Sequence, residues 1–414
     1  MKIAIAGYGL EGEQNYLYYR ALGYDVTIVD EKESPDRPIP EGAKTLLGEG
    51  VFSSLEGYDK VIRTAGLSPK KITTDGIIWS ATNEFFEKSP APIIGVTGTK
   101  GKGTTSSFIY EILKAAGKDV HLVGNIGVPA LEALPELTAE SIVVYELSSF
   151  QLWDIKKSPH VAVVLPIEPD HLDVHENMED YIAAKANIAR HQSESDILIF
   201  NKDNDIAKSI AQLAAGTKVE YPFLIEEFES AVNLPGKHNI ENASAAIAAC
   251  RVFDIDNIAI TQGLKAFKGL PHRLQFVATI ENASFYDDSI STTPGSVIAA
   301  IHAFSGKPIV LILGGHEKGA DYTELMKLCH DEQVTVIAMG ANRDKLGELC
   351  AAHGVEYGVE PSEMRGVVHR AKMEAMAKDS VVILSPAAAS FDMFKNYADR
   401  GDQFIAAVNQ LRVV

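Results

Sequence analysis

The stretch GVTGTKGKGTT, residues 95–105, decides how this chain is read. It follows an apolar strand-like run, PIIGV, and opens a helix-like one, TTSSFIYEILKAAG. A phosphate-binding loop reads Gly, four residues, then Gly-Lys-Ser/Thr. Counting back from Gly101-Lys102, the first glycine falls on Val96, and Gly103 stands where a hydroxyl belongs. Gly98 and Gly101 still let successive N–H groups converge on phosphate, with Lys102 reaching the β- and γ-phosphates. Thr104 and Thr105 supply hydroxyls one and two positions late. A bare glycine turn seldom carries a lysine and two threonines at a strand-to-helix junction. The stretch therefore reads as an ATP site, with a plain turn as the alternative.

Outward from this loop, short apolar runs alternate with helical and polar ones. KIAIAG and DVTIVD read as strands with the helix EQNYLYYRALG between them, a βαβ start. YDKVIRTAGLSP is a third strand entering a Gly/Pro loop, and KSPAP, residues 88–92, is a linker. Beyond the loop helix, SIVVYELS, VAVVLPI and DILIFN are buried strands and MEDYIAAKANIARH an amphipathic helix. VNLPGKHNIENASAAIAACRVF feeds a long small-residue helix, and the pattern breaks at FKGLPHR. KPIVLILGG, VTVIAMG and SVVILSP are the last strands. The fold class is α/β in three units, 1–89, 90–269 and 270–414. Ligands of open α/β sheets collect where loops leave the carboxyl ends of strands, and the polar motifs of this chain sit there.

The 414 residues carry 38 Lys and Arg against 56 Asp and Glu, a net charge of −18. That balance argues against a nucleic-acid partner, which needs a basic face. It also gives weight to each cation beside a glycine loop, because an anionic substrate needs local positive charge. No apolar run of about 18 residues occurs, so no membrane partner is expected. The start, MKIAIAG, lacks the apolar region and cleavage site of a secretory signal. Cys250, Cys329 and Cys350 form no CxxC pair, which fits a reducing cytoplasm and argues against disulfides or structural zinc.

GYGLEG, Gly7 to Gly12, matches G-x-G-x-x-G between a strand and a helix, with Asp30 closing the next strand. Such glycines bring a pyrophosphate to a helix N-terminus. A dinucleotide, a nucleotide sugar and an empty turn all remain open. Glu146, ending the strand in VVYELSSFQL, is either a magnesium ligand or an acid at a helix start near Ser148. EPDHLDVH gathers Asp170, His171, Asp173 and His175 as a metal cluster or a polar loop, with His175 toward solvent. Asn239 and Asn242 either bond a base or cap a helix. Lys185 by itself reads as part of a solvated helix face. GLPHR offers Arg273, YDDSISTTPGS offers Asp287, Asp288 and Ser289, and LGGHEKGADY offers Lys318. LSPAAASFDMFKNYADRGDQF offers Ser385, Ser390, Lys395 and Arg400.

In this order GTKGKGTT, GNIG, YELSSFQL, DHLD…YIAAK, GKHNIENASAA, GLPHR, DDS and SPAAASFDMFKNYADRGDQF resemble the Mur ligase family nearly end to end. The resemblance implies a cytoplasmic ligase adding an amino acid to a UDP-linked peptidoglycan precursor. It implies a Rossmann-like N-terminal domain for the UDP-muramoyl substrate, a central P-loop ATPase-like domain and a Rossmann-like C-terminal domain for the amino acid. GGHEKGADY and the C-terminal motif point to the member that joins glutamate, in the D form, to UDP-N-acetylmuramoyl-L-alanine. ATP and two magnesium ions are implied, and a monomer is expected. Gly98, Thr99, Lys100, Gly101, Lys102, Gly103, Thr104 and Thr105 would hold the ATP phosphates. Asn239 and Asn242 would lie near adenine, Arg273 near the phosphates and Asp288 near the ribose. Glu146, His171, Thr104 and Lys185 would serve the metals, Lys185 as a carbamate made with CO₂. Lys102, Lys185, His171 and Glu146 form the implied catalytic set. Gly7, Gly9, Leu10, Glu11, Gly12, Asp30 and Asn125 would hold the UDP substrate. Lys318, Ser390, Phe391 and Tyr397 would hold the incoming amino acid.

Two departures stand out. Gly103 replaces the family's frequent Ser or Thr. Ile290 replaces the lysine of the family's Asp-Ser-Lys-Ala-Thr-Asn, here Asp288 to Thr293. The second leaves L-glutamate or another amino acid open. A folylpolyglutamate-synthase-like ligase shares the Gly-Lys-Gly of the loop but lacks an N-terminal UDP-binding domain. An NAD-dependent oxidoreductase built on GYGLEG and an inactive nucleotide sensor are readings from other classes; neither gives Lys102, Glu146, His171 and Lys185 a task.

Overall fold

Three nearly continuous apolar runs, IIGVT, IVVYE and VAVV, are buried along their whole length. That pattern belongs to a parallel sheet covered on both faces. The structure, a computed structural model, describes residues 1–411 apart from Asp36, Asp173, Pro235, Glu317, Lys318, Ser362, Met376 and Lys378. Lys318, expected to bind the amino acid, and Asp173 of the Asp/His cluster thus lie outside the described residues.

Among the described residues the strands form three sheets. The first holds β1 (Lys2–Ala6), β2 (Asp25–Asp30), β3 (Lys44–Leu47), β4 (Lys60–Arg63) and β5 (Ile77–Ser80). Its order is β3-β2-β1-β4-β5, parallel throughout. The second holds β6 (Ile93–Thr97), β7 (Val120–Gly124), β8 (Ile142–Glu146), β9 (Val161–Val164), β10 (Ile197–Asn201) and β11 (Thr217–Tyr221). Its order is β11-β10-β9-β6-β8-β7, again parallel. The third holds β12 (Gln275–Ile280), β13 (Ala283–Asp287), β14 (Ile309–Leu313), β15 (Thr335–Ala338), β16 (Tyr357–Val359) and β17 (Ser380–Leu384). Its order is β12-β13-β17-β14-β15-β16, with only β12 antiparallel. Among the described residues no helix is long and apolar enough to cross a membrane.

The chain divides into two compact units, one ending at Phe267 and one starting at Lys268. The first contains the first two sheets, and buried charge ties them. Arg63, at the end of β4, donates Nε to Asp154 Oδ2 at 3.0 Å and Nη2 to Phe150 O at 3.0 Å. Lys70 reaches Asp180 at 2.9 Å. In the second unit apolar clusters fill both faces of the sheet, around Phe285 and Phe404 on one side and Leu311 and Leu325 on the other.

In the first sheet β2 and β4 flank β1, so the chain order reverses beside the loop that follows β1. In the second, β8 and β9 flank β6 in the same way. Each reversal opens a crevice at the carboxyl end of its strand. GYGLEG and GTKGKGTT occupy those two places.

Candidate active site

The loop after β6 turns at Gly101, which has φ +84° and caps the helix Lys102–Ala115. A β-carbon on Gly101 would lie 2.5 Å from Asn242 Oδ1, so only glycine fits. Lys102, at the first helical position, folds its Nζ back onto Gly98 O at 3.0 Å and Thr99 O at 2.9 Å. Thr99 is held in turn: its Oγ1 lies 3.0 Å from Tyr181 Oη and accepts the Glu168 N–H at 2.9 Å. Lys100 is exposed and pairs loosely with Glu168. Gly103 and Thr104 are half-buried, while Thr105 is sealed in with its hydroxyl lacking a hydrogen-bond partner.

Glu146 closes β8, opposite Val96 of the neighbouring strand, and its side chain is buried. The alternative, an acid at a helix start, does not hold. The helix Ser149–Leu152 is capped by Ser148, which forms a capping box with Gln151.

Lys185 departs most from its sequence pattern. It lies on the helix Met178–Arg190 and is 1% exposed, not part of a solvated face. Its Nζ donates to Gly98 O at 2.8 Å and sits 3.4 Å from Thr97 Oγ1, over the ring of Tyr181 at 4.8 Å. Burial pushes its ammonium well below the usual lysine range, and the Lys102 charge pushes the same way. Asp170 and Glu146 oppose this without reversing it. A lysine so placed holds more neutral, nucleophilic amine at neutral pH.

Asn239 and Asn242 are buried in the helix Lys237–Arg251, whose cap residue is Gly236. Both stand inside the helix, so the capping reading fails. Asn242 instead abuts Gly101. His171 has a positive φ of 54° and lies beside Asp170, with its ring 5.0 Å from that of Phe150. His175, expected toward solvent, is 2% exposed. Its Nδ1 lies 2.9 Å from Asp180 Oδ2 and its Nε2 2.9 Å from Ser149 Oγ. Among the described residues, which leave out Asp173 of the Asp/His run, no three His, Cys, Asp or Glu side chains group to hold a metal.

At the first sheet, a β-carbon on Gly12 would lie 2.1 Å from Gly7 O, so glycine lets the helix Leu10–Ala21 press against the loop. Asp30 accepts the Tyr8 N–H at 2.6 Å and the Lys32 N–H at 2.8 Å. Glu11 accepts the Ala65 N–H at 2.8 Å, while Leu10 is exposed, Gly9 half-buried and Asn125, after β7, exposed.

Residues 96–224 match the family described as Mur ligase middle domain, and residues 272–387 the Mur ligase, glutamate ligase domain. The UDP-N-acetylmuramoylalanine--D-glutamate ligase of Acetivibrio thermocellus is 35% identical, over 99% of this chain and 96% of the relative. The chain belongs to the Mur ligase family. As a Mur ligase it is an ATP-dependent ligase of peptidoglycan precursor synthesis. Among solved structures, MurF from Acinetobacter baumannii shares the fold with a TM-score of 0.62 at 18% identity, covering 100% of this chain and 93% of its own. E. coli FolC, at 18% identity and a TM-score of 0.55, covers 80% of this chain and 92% of its own.

The second unit of this Mur ligase closes on itself. Asp288 is 2% exposed; its Oδ1 accepts the Leu274 N–H at 3.1 Å and its Oδ2 the Ser385 hydroxyl at 2.7 Å. Burial raises its carboxyl above the usual range, against hydrogen bonds from Ser291, Ser385 and Leu274 and the charge of Arg273. Asp287 pairs with His272 Nδ1 at 2.7 Å. Arg400, fully buried, donates to Ser289 Oγ at 2.9 Å, Ser289 O at 2.8 Å and Ala388 O at 3.1 Å. The DDS corner and the SPAAAS segment are thereby locked together. Ser390 is buried, whereas Arg273, Phe391 and Tyr397 are exposed.

Sequence reasoning missed Tyr181 as part of this site and turned His175 toward solvent. Tyr181 stands four residues before Lys185, the spacing that places two side chains on one helix face. That spacing was the available signal. For His175 the signal was weaker, a second histidine four residues after His171.

Proposed function

We propose that this Mur ligase joins D-glutamate to the alanyl carboxylate of UDP-N-acetylmuramoyl-L-alanine in the cytoplasm. The observation that carries the proposal is the convergence of Lys102 and Lys185 on the Gly98 carbonyl, in a chain 35% identical to a ligase with that name. Three domains, 1–89, 90–269 and 270–414, would hold the UDP substrate, ATP and amino acid respectively.

A carboxylate is a poor acyl donor. Transfer of the ATP γ-phosphoryl group to it releases ADP and leaves an acyl phosphate. The glutamate amine then attacks the acyl carbon, loses a proton and expels phosphate. Lys102 turns from Gly98 O and Thr99 O to the β- and γ-phosphates and meets charge on the moving phosphoryl oxygens. Loop N–H groups from Gly98 to Thr105 orient the phosphates. Asn239 and Asn242 serve the adenine, Arg273 the phosphates and Asp288 the ribose. Gly7, Gly9, Leu10, Glu11, Gly12, Asp30 and Asn125 take the UDP-sugar; Lys318, Ser390, Phe391 and Tyr397 take glutamate.

Magnesium fits the donor chemistry. Hard cations take oxygen ligands, which Glu146 and Thr104 supply at the loop, with His171 nearby in sequence order. Bound there, two ions would neutralise phosphate charge and polarise the γ-phosphoryl group. Lys185 as an ammonium does not suit a cation site; as a carbamate it does, and its burial and lowered proton affinity favour the neutral amine that captures CO₂. Phosphate release that requires UDP-N-acetylmuramoyl-L-alanine and D-glutamate together tests the proposal. Because Ile290 stands where the family has lysine, L-glutamate belongs in the same assay.

A further inference from the structure

The two proposed metal-side groups, Glu146 and Lys185, come from separate elements, β8 and the helix Met178–Arg190. A buried side chain links the Lys185 helix to the segment that follows β8. His175 is buried, with one ring nitrogen against Asp180 in the first turn of the Lys185 helix and the other against Ser149, three residues after Glu146. The Asp180 carboxylate can only accept, so Nδ1 carries a proton and donates to it. In the neutral ring Nε2 then accepts the Ser149 hydroxyl.

The ring has no room to turn. Phe150 stacks on it at 5.5 Å and 13°, Trp153 lies at 4.5 Å, and Tyr181 meets it edge-on at 5.2 Å. Tyr181 carries the restraint onward, its hydroxyl on Thr99 of the phosphate loop and its ring under Lys185 Nζ. Asp180 is also held by Lys70, from the loop between β4 and β5, at 2.9 Å. One imidazole therefore fixes the start of the Lys185 helix, the chain just beyond Glu146 and, through Tyr181, the loop.

We infer that His175 is a positioning residue that sets the spacing between Glu146 and Lys185. The inference rests on the proposed roles of those two residues. His175 is 2% exposed and acts through the residues it holds. Groups that hold a metal ligand in place cost about 10–100-fold in activity when lost.

The test measures kcat, KM for ATP, thermal midpoint and the ¹³C carbamate signal after ¹³C-bicarbonate labelling, in wild type, His175→Ala, His175→Asn and Ser149→Ala. Expected are a kcat about 10–100-fold lower for His175→Ala, little change in KM for ATP, and a weakened carbamate signal. His175→Asn, which keeps a donor toward Asp180, recovers part of kcat. Ser149→Ala shows a smaller loss in the same direction. A wild-type kcat per folded molecule in His175→Ala overturns the inference. So does a lower thermal midpoint with kcat restored on cooling, which marks a structural role only. Absence of the carbamate signal in active wild type instead contradicts the reading of Lys185, and absence of ligase turnover in wild type contradicts the proposed function.

Discussion

Lys102 and Lys185 donate to the same carbonyl oxygen, that of Gly98, at 3.0 and 2.8 Å. Burial lowers the proton affinity of Lys185, and the Lys102 charge beside it lowers it further. The arrangement suits a pair in which one lysine stays a cation for phosphate and the other gives up its proton.

Lys185→Ala is therefore expected to lower kcat by about 10²–10³-fold, the scale of losing a charge-stabilising group. Short-chain carboxylates should restore part of the rate by standing in for a carbamate, and Lys185→Arg should not respond to them. Full activity of the alanine variant without added carboxylate contradicts the role.

The hydroxyl question raised by Gly103 narrows to Thr104. Thr105 is sealed in without a hydrogen-bond partner, so Thr105→Val should leave kcat unchanged and stabilise the protein by about 1 kcal/mol, since an unmet buried polar group is removed. Thr104→Val should raise the magnesium concentration needed for half-maximal rate by about 10-fold or more, as for loss of a group that supports a metal site. A reversed pattern, read from magnesium titrations, assigns the metal to Thr105 instead.

Gly101→Ala meets two obstacles, a φ of +84° and an oxygen 2.5 Å from the new carbon. It should lower ATP turnover by roughly 100-fold, as for a misplaced reacting group. Adding Asn242→Ala removes the oxygen but not the backbone strain, so rescue should be partial. Complete rescue shows that Asn242 alone enforces the glycine.

The buried Asp288 carboxyl has a folded proton affinity above its ordinary value of 3.8. Between that value and its raised folded value, the folded protein binds more protons than the unfolded chain. Its contribution to stability is thus complete below 3.8 and falls as pH rises through the window. Relative to Asp288→Asn, wild type should lose stability as pH rises from the acid side, then level off. Urea unfolding of both proteins across that range checks the slope; parallel curves contradict it.

The interior of the fold was legible and its borders were not. The central strands β1, β6, β8, β9, β14 and β17 are continuous apolar runs that a covered parallel sheet demands. The edge strands β3, β5, β7, β11, β12 and β16 went unread. They are largely half-exposed, and their pairing comes from the neighbouring strand rather than from their own composition. The phosphate loop was legible because glycine, lysine and threonine must sit at fixed offsets. The burial of Lys185 and His175 was not, because it comes from tertiary packing: a helix face that looks solvated in sequence lies against the loop and the ring cluster of Phe150, Trp153 and Tyr181.

The most direct test of the central claim is phosphate release with ATP and UDP-N-acetylmuramoyl-L-alanine, comparing D-glutamate, L-glutamate, L-alanine and D-aspartate. Release should require the UDP substrate and be fastest with D-glutamate. ATP turnover indifferent to both the UDP substrate and the amino acid contradicts the account.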